Sequence, residues 1–167
     1  MEIVSREEGQ EWMKAAFECS SWEAVMGDLR CIAYKLPSDT GAKTAIARAV
    51  VGIIGTRLPG LFWITQWGVF PSSENMAVFD GYRKSLGEHR ALWDAPAHIF
   101  DGSELQQIEC LLDLALYFYW DSFLFDKGRF AFKTSHDEYL AVYSKDEETL
   151  RAFQSSLSRL GIEQLPT

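Results

Sequence analysis

The chain is expected to fold as α+β: a mostly antiparallel sheet of about five strands covered by about five helices, in one domain spanning residues 1–167. Three observations lead there. Segments of apolar/polar alternation and segments of helical period interchange along the chain, as an α+β fold requires. The last three strand candidates follow one another through short turns, which predicts an antiparallel meander. A length of 167 residues with 47% hydrophobic and 14% aromatic content is enough for a substantial core and argues against disorder.

Ser5 to Glu8 has capping-box spacing, and Met13, Ala16 and Phe17 recur at helical intervals, predicting a first helix that ends near Cys19. Between Ser20 and Asp28 the pattern fits a strand or a short helix. Leu29 to Leu36 alternates as a strand that stops at Pro37. Ser38, Asp39 and Thr40 then cap a helix through Ala42 to about Ile54. That helix permits a parallel crossover between the strands on either side, so a mixed sheet is the alternative topology. The fragment Gly41-Ala42-Lys43-Thr44 is not a phosphate-binding loop, because Ala42 separates the glycine from the lysine.

The stretch Leu61 to Asn75 organises the fold. Phe62, Ile64 and Gln66 are expected on one face of an interior strand, and Trp63, Thr65, Trp67 and Val69 on the other. Gly68 suggests a bulge, Pro71 ends the strand, and Ser72 or Ser73 caps a helix running to Leu86. Its buried stripe is expected at Met76, Phe79, Tyr82 and Leu86, with Gly87 as the left-handed terminus. Residues 88–102 read as a long loop. Ser103 with Gln106 caps a largely apolar helix to about Tyr119. Strands follow at 120–126 and 129–134 around an Asp126-Lys127-Gly128 turn, and at 139–143 after a turn at 135–138. Ser144 with Glu147 predicts a second capping box, and the last helix buries Leu150, Phe153, Leu157 and Leu160.

The formal net charge of −8 disfavours nucleic acid and anionic membranes, and it suits a basic protein partner or plain solubility. Met1 is followed by charged residues and no apolar run, so a cytoplasmic location is expected. Cys19, Cys31 and Cys110 are widely spaced in apolar surroundings and read as reduced, packed thiols. His89, His98 and His136 show no metal-ligand spacing, and no cofactor is predicted. A hydrolase could draw on Ser72 or Ser73 with His98 or His136 and Asp121, but the nucleophile-elbow motif is absent. The acidic runs Glu7-Glu8 and Asp146-Glu147-Glu148 are expected in first helical turns, where the macrodipole accounts for them.

Trp63, Trp67, Trp93 and Trp120 lie near strand ends or the long loop, and aromatic side chains dominate binding hot spots. The expected contact residues are Trp67, Ser72 and Ser73 at the 67–73 strand-to-helix turn, with Trp93 and His98 of the 93–98 loop and His136 of the 134–138 turn nearby. Two functions are consistent with these features. The first is a non-catalytic binding protein that acts on a basic protein partner or self-associates. The alternative is a small-molecule-binding protein or small hydrolase using that turn.

Overall fold

Seven strands pair into one sheet in the order β1-β4-β3-β5-β6-β7-β2, and every pairing is antiparallel. They are β1 (Glu2–Val4), β2 (Arg30–Lys35), β3 (Gly60–Gln66), β4 (Ala97–Phe100), β5 (Asp121–Phe125), β6 (Phe130–Ser135) and β7 (Tyr139–Ser144). The helices are α1 (Arg6–Phe17), α2 (Trp22–Gly27), α3 (Thr40–Ile54), α4 (Ser73–Ser85), α5 (Leu105–Tyr117) and α6 (Glu147–Arg159). The computed structural model describes residues 1–18, 21–55, 59–67, 73–127 and 130–166, without the side chains of 73–75. Cys19, Ser20, Gly68, Val69, Pro71, Ser72 and Gly128 therefore lie outside the described residues.

The helices divide between the two faces of the sheet. On one face α3, α4, α5 and α6 bury Val50, Phe79, Leu111 and Phe153 against Phe62, Leu124, Phe132 and Val142. On the other face α1 and α2 bury Met13 and Val25 against Leu61, Trp63, Phe123 and Phe125. Period-two alternation sends successive strand residues into these two cores, so β3 and β5 are apolar on both sides.

The α+β architecture and the antiparallel meander are as expected, with three differences in the sheet. It has two more strands than predicted, because β1 is only three residues long and β4 lies inside the stretch read as a loop. No parallel crossover forms: α3 carries the chain from β2 at one edge to β3 deep in the sheet, so the mixed alternative is excluded among the described residues. The ambiguous segment before β2 is helical, with Ser21 Oγ accepting the Ala24 N–H at 3.3 Å.

Caps set the helix boundaries. Ser5 and Glu8 form the expected box, with Ser5 Oγ accepting the Glu8 N–H at 3.2 Å and Glu8 accepting the Ser5 N–H at 2.7 Å. Asp39 accepts the Ala42 N–H at 2.7 Å and so occupies the end of α3 that a phosphate would need. Two expected boxes are shifted. Asp101, not Ser103, caps the 3-10 turn Gly102–Glu104 leading into α5, and Asp146, not Ser144, caps α6. Aspartate accepts at both N-termini, as the macrodipole favours. Leu86 lies beyond α4 and is exposed, while Arg83 is buried beside Phe79; Leu160, expected in the core, is exposed as well. Cys31 and Cys110 are free and exposed, not packed: Cys31 is on edge strand β2, and Cys110 is on an uncovered part of α5.

Candidate binding site

α1 lies unusually close to the sheet because Gly9 has no side chain. A Cβ there would stand 3.0 Å from Trp63 Cζ3 and 3.1 Å from Ala97 Cβ. The Ser21 cap starts α2 so that Trp22 meets Phe123 edge-on, with centroids 4.4 Å apart. Between the two helices and strands β3 and β5 a cavity of about 300 Å³ remains. Its apolar part is Met13, Trp22, Trp63, Phe123 and Phe125, with the two phenylalanines stacked at 5.8 Å. Its polar part is Arg6, Gln10, Ser21, Thr65, Gln66 and Asp121. An apolar body with a few convergent polar groups is the usual composition of a recognition cleft.

Asp121 is the anion of this lining and is held rigidly. One carboxylate oxygen accepts the His136 backbone N–H at 2.8 Å, and the other lies 2.8 Å from His136 Nδ1. Thr65 Oγ1 donates to the Asp121 carbonyl at 3.2 Å. Each carboxylate oxygen retains a lone pair for a further donor. Trp63 Nε1–H is buried with no hydrogen-bond partner among the described residues.

The predicted contact residues do not converge in this cleft. Trp67 lies on the opposite face, 4.5 Å from Phe79 and 5.2 Å from Trp120 by ring centroids. The bulge between Ile64 and Gln66 reverses the alternation, so Trp67 lies on the same side as Phe62 and not with Trp63. Burial removes His98 from solvent entirely; on β4 it packs against Phe62 and Phe79. Trp67 and His98 thus come together around Phe79. Trp93 is 67% exposed and stands apart, beside Met76, Ala77 and Asp80 of α4. Ser72 and the Ser73 side chain lie outside the described residues. His136 reaches the cleft only through Asp121, and its Nε2 is 3.5 Å from an Asp137 carboxylate oxygen. Neighbouring Ser135 Oγ accepts the Asp137 N–H at 3.3 Å.

Sequence reasoning passed over Arg6, Gln10 and Trp22. The Ser21 cap three residues before Ala24 was the available signal for Trp22, because it makes the ambiguous segment a helix and turns the indole toward the sheet.

Elsewhere, burial and then the Arg83 charge push the His98 imidazole down to about 3, which keeps it neutral. Hydrogen bonds from Arg90 hold the Glu88 carboxyl at about 2. Among the described residues no three His, Cys, Asp or Glu side chains gather as a metal site, and no helix is long and apolar enough to cross a membrane. No protein-family model, curated protein or solved structure matches this chain.

Proposed function

We propose that the protein is a non-catalytic binding protein that holds a basic protein partner against its α1–α2 face. The observation that carries this reading is one of placement. The two helices walling the aromatic cleft also expose Glu7, Glu11 and Glu23, with Glu18 and Asp28 at their C-terminal ends. Those acids raise the encounter rate with a cationic surface. The cleft then takes one cationic side chain, its charge over Trp22 and Trp63 and its donors on Asp121. Arg6, the one cation of the lining, stands exposed at the start of α1.

The test is affinity capture from the source cells with immobilised protein, in parallel with a Glu7→Lys/Glu11→Lys/Glu23→Lys variant and with Trp22→Ala. The reading predicts a basic protein retained by the wild type. Its affinity should be at least about tenfold weaker for the charge-reversed variant, should fall with added salt, and should weaken on loss of Trp22. Equal retention by all three proteins, or an affinity indifferent to salt, would reject it.

A second reading is supported by the unpartnered Trp63 Nε1–H and the cavity size: a small acceptor-bearing molecule occupies the same cleft. Under that reading Trp63→Phe removes binding while the charge reversal leaves it intact.

A further inference from the structure

On the opposite face, beneath α4, the structure assigns a second recognition site: Arg83, over the Phe79 ring, forms a buried receptor for a small monocarboxylate. Arg83 is 1% exposed, yet Nε, Nη1 and Nη2 have no hydrogen-bond partner among the described residues. A guanidinium keeps its charge in proteins, and burying one without a counter-charge is strongly unfavourable. The two carboxylates whose charge reaches it, Glu88 and Asp80, are both committed elsewhere, Asp80 to Lys84 at 2.5 Å. Glu88 accepts from the Arg90 backbone N–H at 2.7 Å and from Arg90 Nε at 3.0 Å with each of its oxygens.

A further donor without a partner accompanies the guanidinium: Trp120 Nε1–H is buried and unpartnered among the described residues, while the fully buried His98 turns its ring N–H to the Phe62 backbone. All three side chains border one ring. Arg83 Cζ lies 5.8 Å from the Phe79 centroid, the His98 ring 5.9 Å and the Trp120 ring 5.2 Å. Trp67 packs on the same ring. Arg83 offers a planar fork and Trp120 one N–H, donors that suit an oxyanion.

Charge balance selects the class of anion. Neutral His98 adds nothing to the single positive charge of Arg83. A carboxylate cancels that charge, whereas a phosphate dianion would leave net negative charge among Phe62, Phe79, Trp67 and Trp120. The aromatic surroundings suit a carboxylate attached to an apolar group.

Thermal unfolding and Trp fluorescence titration at about pH 8.5, where inorganic phosphate is a dianion, with sodium acetate and sodium benzoate against sodium chloride and sodium phosphate at matched ionic strength, test the assignment. For the wild type, acetate or benzoate is expected to raise Tm by at least about 5 °C at a hundredfold excess over Kd, with chloride and phosphate ineffective. Arg83→Met should abolish the shift. Arg83→Lys, which keeps the charge but loses the fork, should bind at least about tenfold more weakly. The assignment is overturned if neither carboxylate exceeds chloride, if phosphate acts as strongly, or if Arg83→Lys binds like the wild type. Because Trp22 and Trp63 of the α1–α2 cleft also report in fluorescence, the Arg83→Met comparison separates the two sites: a carboxylate held in that cleft would still bind to Arg83→Met.

Discussion

At the scale of single residues, close approach and burial decide what each position tolerates. A Cβ on Gly60 would stand 2.4 Å from the Phe100 ring and 2.8 Å from the Phe125 carbonyl oxygen. Gly60→Ala is therefore expected to cost about 1–3 kcal/mol in urea unfolding, since backbone cannot yield as a flexible side chain does. His98 sets a pH dependence. Its folded-state value near 3 lies below the ordinary 6.5, so the unfolded chain takes up a proton that the native state refuses. Stability is complete above 6.5 and falls as pH drops toward 3. Between pH 6.5 and 4.5 the loss from this group should be on the order of 2 kcal/mol, and equilibrium unfolding of His98→Gln over that window should show a flatter profile. Legibility at this scale followed locality. The Ser5–Glu8 box needs only a three-residue spacing, and it could be read directly. The direction of Trp67 could not, because the bulge two residues earlier depends on how β3 pairs with β5. His98 looked like a loop residue because β4 is a strand only through its neighbours β1 and β3.

At the scale of elements, long amphipathic stretches announced themselves and short ones did not. α3, α5 and α6 were recoverable from helical periodicity, and β5, β6 and β7 from alternation between turns. β1 and β4, three and four residues long, carry too few alternating positions to rise above a loop pattern. The stripe predicted for α4 was right at Phe79 and wrong at Leu86, because the helix ends before that leucine and turns Arg83 inward. Phe79 is the residue through which α4 meets Trp67, His98 and Trp120. Phe79→Ala should thus cost about 3–5 kcal/mol in chemical denaturation and should increase hydrogen exchange in α4 before the sheet. On the other face, α1 sits close because of Gly9. Gly9→Leu must push that helix away from Trp63, with an expected cost of about 1–3 kcal/mol and a changed Trp63 environment by fluorescence.

For the whole molecule, the edges and the charge distribution set how it meets others. β2 would offer a free edge, but the C-terminal segment runs along it: the Lys35 N–H donates to Glu163 O at 3.0 Å, and the Leu165 N–H to Ala33 O at 2.9 Å. β1 at the other end is short. Both edges are blunted against edge-to-edge self-association. Deleting 163–167 should accordingly raise the apparent mass of the protein at high concentration in light scattering. With the edges guarded, the acidic α1–α2 layer and its cleft are the surface best suited to a partner. The charge was legible in the composition, but its placement over an aromatic cleft was not, since that needs α1, α2, β3 and β5 brought together. The most direct measurement is the tryptophan indole N–H spectrum by NMR during titration with a short lysine-rich peptide. The account predicts that the Trp22 and Trp63 signals move while those of Trp67 and Trp120, on the opposite face, stay in place. Movement confined to Trp67, Trp93 or Trp120, or no movement at low salt, would contradict it.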